Sequence, residues 1–361
     1  MTIEDHRFPC DNCGADFRFA PDTGALTCDH CGNTQHVTDS AGPGAIAEMR
    51  YDKGVLADLA AEEIEETRVS SCPNCNAQVE FDPDTHATEC PFCATPVVTD
   101  TGTHRHIKPK ALLPFSLDEK TARAAMSDWL GGLWFAPNGL QDYARKGRKL
   151  QGIYVPYWTY DANTKTRYSG ERGDHYYVTR TVGRDGKSVS ERQRKTRWRP
   201  ASGRVARFFD DVLVLGSTSL PKKYTDNLEP WDLNGLAPYQ PEFLAGFRAE
   251  GYTVPLEDGF DEAQSIMARQ IERDIRFDIG GDTQRIHSRN TQMNDITFKH
   301  ILLPVWLAAY KFRGKTYRFV VNGSTGRVQG ERPWSVIKIA LAVIFGAVIA
   351  GAIGFALSQA Q

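Results

Sequence analysis

The amino-acid sequence lacks features that mark several common functional classes. Its N-terminus, MTIEDHRFPC, has no apolar segment, which argues against a secretory signal peptide. Two Gly-Lys-Ser/Thr triplets begin at Gly186 and Gly314, but a P-loop needs another glycine five residues earlier, where Thr181 and Ala309 stand. We therefore interpret both triplets as hairpin turns and expect no P-loop nucleotide hydrolase.

A catalytic constellation is also missing. Histidines such as His287 and His300 are scattered, with no paired nucleophile and no His-Glu-x-x-His sequence. The pair Asp210-Asp211 precedes the apolar segment VLVLG, and no further acidic residue stands at a spacing typical of a metal site. We predict that this pair forms a turn at the entry to a strand, and that the protein is not an enzyme.

Charge is nearly balanced over the whole chain but is unevenly distributed. The 361 residues carry a formal net charge of −2, with 41% hydrophobic and 24% charged residues, which is an ordinary globular composition. Residues 39–67 contain eight acidic residues against Arg50 and Lys53, whereas residues 167–207 contain twelve Lys and Arg against four acidic residues. The sequence therefore predicts one acidic and one basic segment.

The eight cysteines form four Cys-x-x-Cys pairs in two blocks, each of which reads C-x2-C-x14-C-x2-C. This spacing is typical of a zinc ribbon, in which two tight turns bring four thiolates around one tetrahedral Zn²⁺. We therefore predict two zinc ions per chain. The predicted ligands are Cys10, Cys13, Cys28, Cys31, Cys72, Cys75, Cys90 and Cys93.

The two cysteine blocks are copies of one another, aligned without a gap at an offset of 62 residues. Phe19 aligns with Phe81, and both blocks have a Pro-Asp-Thr turn between their cysteine pairs. A segment of this size cannot bury a core, so we expect metal to stabilise it. A disulfide scaffold is disfavoured by the absence of a signal segment, and a redox-active dithiol by the presence of four matched pairs.

One uncharged apolar segment lies close to the C-terminus. Residues 339–357, IALAVIFGAVIAGAIGFAL, contain no charge over 19 positions, enough for one helix across a hydrocarbon layer of about 30 Å. Arg327, Arg332 and Lys338 stand on its N-terminal side, so the positive-inside rule places the preceding chain in the cytoplasm. We expect a single-pass, tail-anchored protein, with a buried soluble helix as the alternative.

Small residues recur every four positions within this span. They are Ala342, Gly346, Ala350 and Gly354. Such a stripe lets two helices approach closely and favours a homo-oligomer or pairing with a partner's helix, although it is common by chance in segments rich in Ala and Gly.

The acidic segment is predicted to be a solvated helix between the ribbons, with apolar positions at Val55, Leu56, Leu59 and Ile64. Five segments follow from these patterns. The predicted boundaries are 1–38 for the first zinc ribbon, 39–70 for the acidic helical linker, 71–104 for the second zinc ribbon, 105–333 for an α+β domain with a basic hairpin, and 334–361 for the transmembrane anchor.

Helices in the predicted α+β domain are expected at three places. The first is capped by Ser116 and runs through Glu119 to Leu130, the second lies near Leu140–Lys149, and the third covers about Asp261–Ile279.

Two β-rich segments in this domain resemble each other. GIYVPYWTYDANTKTRYSG and KHILLPVWLAAYKFRGKTYRF each contain an apolar run, a proline and, two residues later, a tryptophan, at Pro156 and Trp158 and at Pro304 and Trp306. A shorter echo occurs at residues 111–115. We predict two related strand-hairpin units, although ordinary core composition would explain the similarity nearly as well.

Residues 175–199 are predicted to form a long hairpin with its turn at residues 183–186. Strand alternation places cations of the second strand on both faces, so neither face suits a core. Such a ribbon could bind anionic lipid or the phosphates of nucleic acid, or it could be solvated or contact the acidic linker. The candidate binding residues are Arg192, Arg194, Lys195, Arg197, Arg199 and Trp198.

Over nearly its whole length the sequence resembles a bacterial family of zinc-ribbon membrane proteins. The resemblance is carried by the two cysteine blocks, the C-terminal span and the segments GIYVPYWTYDA, EPWDLNGLAPYQPEFLAGFRAE and FKHILLPVWLAAYKFRGKTYRFVVNGSTGRVQGERP. Members are often labelled transcription-factor-IIB-type zinc-ribbon proteins or primosomal protein N'-like superfamily II helicases. The resemblance implies an association with SPFH-domain (flotillin-like) or phage-shock-A-like membrane-stress proteins.

The helicase label does not fit these residues, since such a motor requires a P-loop and an acidic Walker B element. We therefore expect a non-enzymatic, membrane-anchored adaptor that recruits a cytosolic partner, of the SPFH or membrane-stress type, to the bacterial inner membrane. The alternative is a membrane-tethered nucleic-acid-binding protein that uses the ribbons and the basic hairpin. An unrecognised hydrolase in the central domain is the third hypothesis.

Overall fold

In the residues that it describes, the computed structural model shows a mixed α+β protein with one large sheet, three small sheets and an apolar helix near the C-terminus. The structure describes residues 8–37, 46–52, 59, 64–80, 87–93, 95–98, 102–137, 150–184, 187–312 and 315–359. The α-helices in these ranges are α1 (Glu119–Gly131), α2 (Lys222–Asp226), α3 (Leu256–Ile279) and α4 (Val336–Gln359), with 3-10 turns at Leu233–Gly235 and Pro241–Leu244. The strands are β1 (Phe17–Ala20), β2 (Ala25–Cys28), β3 (Thr34–His36), β4 (Met49–Arg50), β5 (Ile64–Ser71), β6 (Gln78–Glu80), β7 (Ala87–Glu89), β8 (Pro96–Val98), β9 (Gly102–Ile107), β10 (Ala111–Leu112), β11 (Gln151–Arg184), β12 (Lys187–Leu215), β13 (Ala237–Pro238), β14 (Arg248–Ala249), β15 (Thr283–Phe312), β16 (Lys315–Asn322) and β17 (Val328–Gly330).

The large sheet is organised around three long antiparallel strands in the order β12, β11 and β15. Residues 153–162 of β11 are buried on both faces, whereas from residue 163 to 168 buried and exposed positions alternate. This change from a continuous to an alternating pattern shows where the sheet stops being covered on both faces. The core therefore lies at one end of the long strands.

Helix α3 covers one face of the long strands. Its buried side chains recur every three or four residues, as expected for one face of an amphipathic helix. They include Leu256, Phe260, Ala263, Met267, Ile271, Ile275 and Ile279. The helix begins five residues before the predicted Asp261 and ends at the predicted Ile279.

The two Pro-x-Trp segments lie side by side in β11 and β15. Their antiparallel register is centred on the pair Val155 and Leu303, so that Pro156 and Pro304 occupy equivalent places. The Trp158 indole donates to the carbonyl of Val254 at 3.0 Å, two residues before α3 begins. The Trp306 indole donates to the carbonyl of Leu117 at 3.0 Å, two residues before α1 begins.

The surroundings of the two tryptophans also correspond. The Trp306 ring packs on Phe115 at 5.1 Å between centroids, and the Trp158 ring packs on Tyr252 at 4.9 Å. The short strand β10 runs parallel to β15, and β14 runs parallel to β11. Strand β15 thus contacts β10 and α1, which precede β11 in sequence. Strand β11 contacts β14 and α3, which precede β15.

The predicted helix in the acidic linker is wrong in the part of the linker that the structure describes. Met49–Arg50 forms β4, which pairs with Thr297 and Phe298 of β15, and Ile64–Ser71 forms β5, which pairs with β6 and β9. Backbone pairing with sheet edges and packing of Tyr51 on Phe260, at 4.3 Å between ring centroids, outweigh local helix preference there. Residues 53–58 and 60–63 lie outside the described ranges.

The predicted cap of α1 is also corrected. The side chain of Asp118 accepts a hydrogen bond from the Thr121 amide at 2.8 Å, whereas the Ser116 amide donates to the carbonyl of Gly323 at 3.1 Å. The hydrogen bond to Gly323 therefore holds Ser116 outside the helix, and Asp118 is the N-cap. The helix predicted near Leu140–Lys149 lies outside the described residues.

Candidate metal centres

The first cysteine tetrad brings four sulfur atoms together without a disulfide. The Sγ atoms of Cys10 and Cys31 are 3.6 Å apart, and those of Cys13 and Cys28 are 3.5 Å apart. All four lie within 4.8 Å of one another. A tetrahedral Zn²⁺ with Zn–S bonds of about 2.3 Å requires sulfur separations of roughly 3.8 Å. The donor set and its spacing therefore fit one structural metal ion.

Tight turns at the cysteine pairs produce this convergence. The Gly14 amide donates to the carbonyl of Cys10 at 2.8 Å, and the Gly32 amide donates to the carbonyl of Cys28 at 2.9 Å. Both glycines have positive φ angles, 74° and 72°, which residues with a side chain adopt less readily. A glycine directly after a Cys-x-x-Cys pair thus closes each turn.

The second tetrad repeats this arrangement. The Sγ distances are 3.5 Å for Cys72 and Cys93 and 3.6 Å for Cys75 and Cys90. Asn76, with a φ of 58°, takes the place that glycine has in the first tetrad, and asparagine is among the residues that tolerate this region. The second tetrad can therefore also hold one metal ion.

The two tetrads differ in their attachment to the large sheet. Cys13 and Cys31 are exposed, and the first tetrad's segment contacts the rest of the molecule mainly through Phe19. The Phe19 ring meets Phe243 at 5.2 Å between centroids, and the Phe19 amide donates to the carbonyl of Ala245 at 2.9 Å. The first tetrad is therefore a peripheral unit.

The second tetrad is continuous with the main core. Cys72, Cys90 and Cys93 are buried together with Phe92, in the hydrophobic cluster that contains Ile153 and Val155 of β11. Loss of metal at this site would leave buried thiols inside the core of the large sheet. We therefore expect the stability of the whole domain to depend on the second site more than on the first.

Electrostatics favours a thiolate at the second site. A hydrogen bond from the Cys90 thiol lowers the pKa of Cys75 to about 5, and the same contact raises the pKa of Cys90. The two thiols therefore share one proton before metal binds. Because the ligand of a metal is the thiolate, metal binding must release this proton.

A buried carboxyl group lies close enough to the second site to interact with Cys75. Glu250 is 2% exposed and accepts a hydrogen bond from the Ser217 hydroxyl at 2.6 Å. Burial raises the pKa of Glu250 to about 8, and the charge of Cys75 contributes in the same direction. No sequence pattern indicated this residue, since it stands in a mixed segment, FRAEGYT.

The raised pKa of Glu250 predicts a specific pH dependence of stability. The pKa of Glu250 in the folded protein, about 8, lies above its ordinary value of 4.5. The stability that the neutral Glu250 carboxyl contributes is therefore fully present below pH 4.5 and is lost as pH rises through 8. Glu250→Gln should remove this loss and raise the free energy of unfolding at high pH by about 3 to 5 kcal/mol. Urea denaturation of metal-loaded protein between about pH 6 and 9 measures it.

The exposed residue Glu191 provides the matched control for this measurement. Glu191→Gln should leave the pH profile of the parent protein unchanged, because this side chain is exposed to solvent and not buried as Glu250 is. If Glu250→Gln has the same slope as the parent protein, Glu250 does not titrate in the folded state as its burial predicts.

A cluster of polar side chains surrounds Lys299 of β15, and it was not predicted from the sequence. Its ammonium lies 2.7 Å from a carboxylate oxygen of Asp211 and 3.0 Å from one of Glu48, and its side chain is only 8% exposed. Glu48 also accepts a hydrogen bond from the Thr297 hydroxyl at 2.6 Å. The linker is thereby fastened to the large sheet next to β4. A lysine inside the apolar run FKHILLPVW was the available signal.

Asp161 completes this group. Burial and a hydrogen bond with Glu48 raise the pKa of Asp161 to about 7. Burial opposes ionisation of Glu48, but hydrogen bonds from Thr297, Asp161 and Lys299 lower its pKa to about 2. The predicted turn at Asp210-Asp211 is wrong, because both residues lie within β12 at a bulge where Asp211 has a φ of 50°. The bulge aims its carboxylate at Lys299.

The structure places the basic hairpin residues at the far end of β11 and β12. The pairing continues from Tyr157 and Leu215 out to Arg184 and Lys187, so the hairpin is much longer than the 175–199 segment. Arg192 stacks over the Tyr177 ring at 4.1 Å, and Arg197 lies over Tyr176 at 5.3 Å.

Helix α4 has the length and composition of a membrane span. Its window Val336–Ile353 has a mean hydropathy of 2.6, and none of it is buried against the rest of the molecule. The helix starts beside the loop after α1, where the Ser335 amide donates to the carbonyl of Phe135 at 2.8 Å and Lys338 donates to that of Ala136 at 2.8 Å. Such an exposed apolar helix supports single-pass membrane anchoring.

Comparisons with known proteins give a relative but no family. No protein-family model matches the chain, and no solved structure matches it. The chain is similar to the Uncharacterized protein YdjG of Bacillus subtilis (strain 168), with 25% identity over 349 residues that cover 92% of each chain. The similarity therefore extends over most of both proteins.

Proposed function

We propose that this protein is a non-enzymatic, membrane-anchored zinc-ribbon adaptor that holds a cytosolic partner at the bacterial inner membrane. The observation that carries the proposal is the combination of a fully exposed apolar helix with two thiol tetrads on one folded body. The helix supplies attachment, and the ribbons supply rigid surfaces without a reaction. The family resemblance of the sequence supports the same role.

Zinc is the proposed metal at both tetrads. Four cysteine sulfurs in a closed, tetrahedral arrangement are typical of structural zinc sites, whereas a catalytic zinc site keeps one position open for water or substrate. The ligands would be Cys10, Cys13, Cys28 and Cys31 at the first site and Cys72, Cys75, Cys90 and Cys93 at the second. Bound zinc would supply folding energy and no redox chemistry.

The proposed orientation places the folded body in the cytoplasm. Arg327, Arg332 and Lys338 precede or begin α4, and residues 339–359 carry no charge. The positive-inside rule then directs the body to the cytoplasmic side, where a reducing environment keeps the thiols available for zinc. The family resemblance suggests an SPFH-domain (flotillin-like) or phage-shock-A-like partner.

Affinity purification from detergent-solubilised membranes tests the adaptor role. The parent protein should retain an SPFH-type or membrane-stress partner after nuclease treatment, because the proposed contact is between proteins. The variant Cys28→Ser/Cys31→Ser should retain less of it if the first ribbon forms the docking surface. Loss of every partner on nuclease treatment would contradict an adaptor and favour a nucleic-acid tether.

Removal of α4 should release the protein from membranes. A chain that ends at Arg332 loses the apolar helix and the hydrogen bonds made by Ser335 and Lys338, but no residue of the main buried clusters. It should fold and appear in the soluble fraction, with two zinc equivalents retained. Cell fractionation after a high-salt wash measures this. If the truncated chain still sediments with membranes, the anchor lies elsewhere.

A further inference from the structure

The outer part of the β11–β12 hairpin, residues 172–199, projects past the other strands of the large sheet, and no other described strand pairs with it between residues 174 and 197. Strand β15 ends its pairing where Gly173 meets Thr283, and α3 ends at Ile279, beside Gly170. Beyond this point β11 and β12 pair only with each other. We call this segment the outer ribbon. It contains nine Lys and Arg and three acidic residues.

Both faces of the outer ribbon carry cations. The cross-strand register places Tyr177 opposite Arg194 and Thr179 opposite Arg192, which puts Arg192 and Arg194 on one face. It places Tyr176 opposite Lys195, and on that second face Arg197 and Arg199 follow at alternate positions. The positive charge therefore surrounds the ribbon and is not confined to one side.

Charge on both faces distinguishes between polyanionic ligands. A lipid headgroup layer is a plane and can contact only one face of a ribbon, so the cations of the other face would have no partner there. The major groove of B-form DNA is about 12 Å wide and admits a two-stranded β-ribbon, with phosphates along both walls. The deep, narrow major groove of duplex RNA does not admit one.

Arginines stack on aromatic side chains of the ribbon. Arg192 lies over the Tyr177 ring at 4.1 Å, and Arg285 lies over the Trp198 ring at 3.9 Å, each from guanidinium carbon to ring centroid. Tyr177 itself is 56% exposed. A stacked guanidinium such as that of Arg192 keeps a fixed orientation, which suits contact with a phosphate oxygen.

The outer ribbon lies at the opposite end of β11 from the strand that leads into the membrane helix. Strand β17, which precedes that helix, lies level with Gly152 of β11 through the pairs Val328–Val321, Val321–Trp306 and Trp306–Gly152. At a strand rise of about 3.3 Å per residue, the outer ribbon begins roughly 60 to 70 Å along β11 from that level.

We propose that the outer ribbon is a binding site for double-stranded DNA, which it enters through the major groove and holds by phosphate contacts from both faces, without base specificity. This site is independent of the proposed adaptor role. Its binding residues are Arg192, Arg194, Lys195, Arg197 and Arg199.

The test uses the full-length, metal-loaded protein in neutral detergent and a short fluorescein-labelled DNA duplex, with anisotropy measured as salt is varied. The ribbon variant replaces the five binding residues with Gln. It should bind the duplex at least about ten-fold more weakly near 0.1 M salt. Its log–log salt slope should fall by about 0.9 for each phosphate that the variant no longer neutralises.

A matched control removes the same charge from other exposed positions. Its substitutions are Lys120→Gln, Lys165→Gln, Lys223→Gln, Arg269→Gln and Arg273→Gln. This variant should bind DNA as the parent protein does, within about two-fold, because only local phosphate contacts change the slope strongly. If it loses as much affinity as the ribbon variant, net charge and not the ribbon attracts DNA, and the proposal is overturned.

Competing ligands complete the test. Duplex RNA, a single-stranded oligonucleotide, and vesicles of phosphatidylcholine with or without phosphatidylglycerol should each compete less well than unlabelled duplex DNA. The proposal fails if a single strand binds more tightly and quenches tryptophan fluorescence, if anionic vesicles compete better than DNA, or if the parent protein binds no duplex. The double variant Arg192→Gln/Arg194→Gln, which alters one face only, keeps the test decisive should the five-fold variant misfold.

Discussion

The variant Cys93→Ser is expected to lose one of two zinc equivalents and to destabilise the central domain by at least about 4 kcal/mol, because it empties a site embedded in the main core. The variant Cys31→Ser should also lose one equivalent, but its domain stability should change by less than about 1 kcal/mol. The difference follows from position, since Cys93 is buried against Phe92 and the core of β11, whereas Cys31 is exposed. Atomic emission counts the metal, and urea denaturation measures stability.

These measurements test two claims separately, namely that zinc is bound and that the two tetrads differ in their attachment to the core. Protein purified under reducing conditions without chelator should contain close to two zinc equivalents, and a value near zero would end the zinc interpretation. Equal destabilisation by the two substitutions would leave zinc in place but contradict the different attachment of the two tetrads. Chelator added in steps to the parent protein should remove the metal of the exposed first site before that of the second.

Lys299→Met is expected to destabilise the protein by about 2 to 4 kcal/mol, because removal of one partner from a largely buried ionic group leaves the others uncompensated. The ammonium of Lys299 is the cation that faces Glu48 and Asp211, at 3.0 and 2.7 Å. This loss is smaller than for fully buried charges, because the side chains of Glu48 and Asp211 are 35% and 24% exposed and water screens them in part. Urea denaturation of the full-length protein in neutral detergent measures the loss.

Two further variants test whether the loss of stability comes from the ionic contacts of Lys299. Lys165→Met changes an exposed lysine of the neighbouring strand β11 and should shift stability by no more than about 0.5 kcal/mol. Adding Glu48→Gln and Asp211→Asn to Lys299→Met should recover part of the lost stability, because the uncompensated charges are then removed. A Lys299→Met protein as stable as the parent would show that the ionic group does not fasten the linker.

The cysteine tetrads could be predicted from the sequence because their geometry depends on short-range covalent spacing. A Cys-x-x-Cys pair followed by Gly14 or Gly32 closes a tight turn whatever surrounds it, and two such turns joined by a hairpin bring four sulfurs together. The apolar helix near the C-terminus was predictable for a similar reason. Nineteen uncharged residues in a row specify a long apolar helix without reference to the rest of the chain.

The linker and the two buried polar groups could not be predicted in this way. Met49–Arg50 becomes a strand because an edge of β15, more than two hundred residues later in the chain, offers backbone hydrogen bonds. Glu48 and Asp211 meet Lys299 because a bulge in β12 and the pairing of β4 with β15 bring them to one place. Such contacts depend on sheet register, which no local pattern contains.

By itself, therefore, the sequence determined the two cysteine tetrads, the apolar helix, the mixed α+β class and the alternation of charge along the basic hairpin, because each depends on residues close together in the chain. Only the tertiary structure decided that the second tetrad belongs to the main core and the first does not, that Pro156 and Pro304 take equivalent places in neighbouring strands, and that the outer part of the basic hairpin pairs with no other described strand. These features depend on which strands become neighbours. Strand pairing is in turn determined by the simultaneous burial of apolar side chains from all parts of the chain.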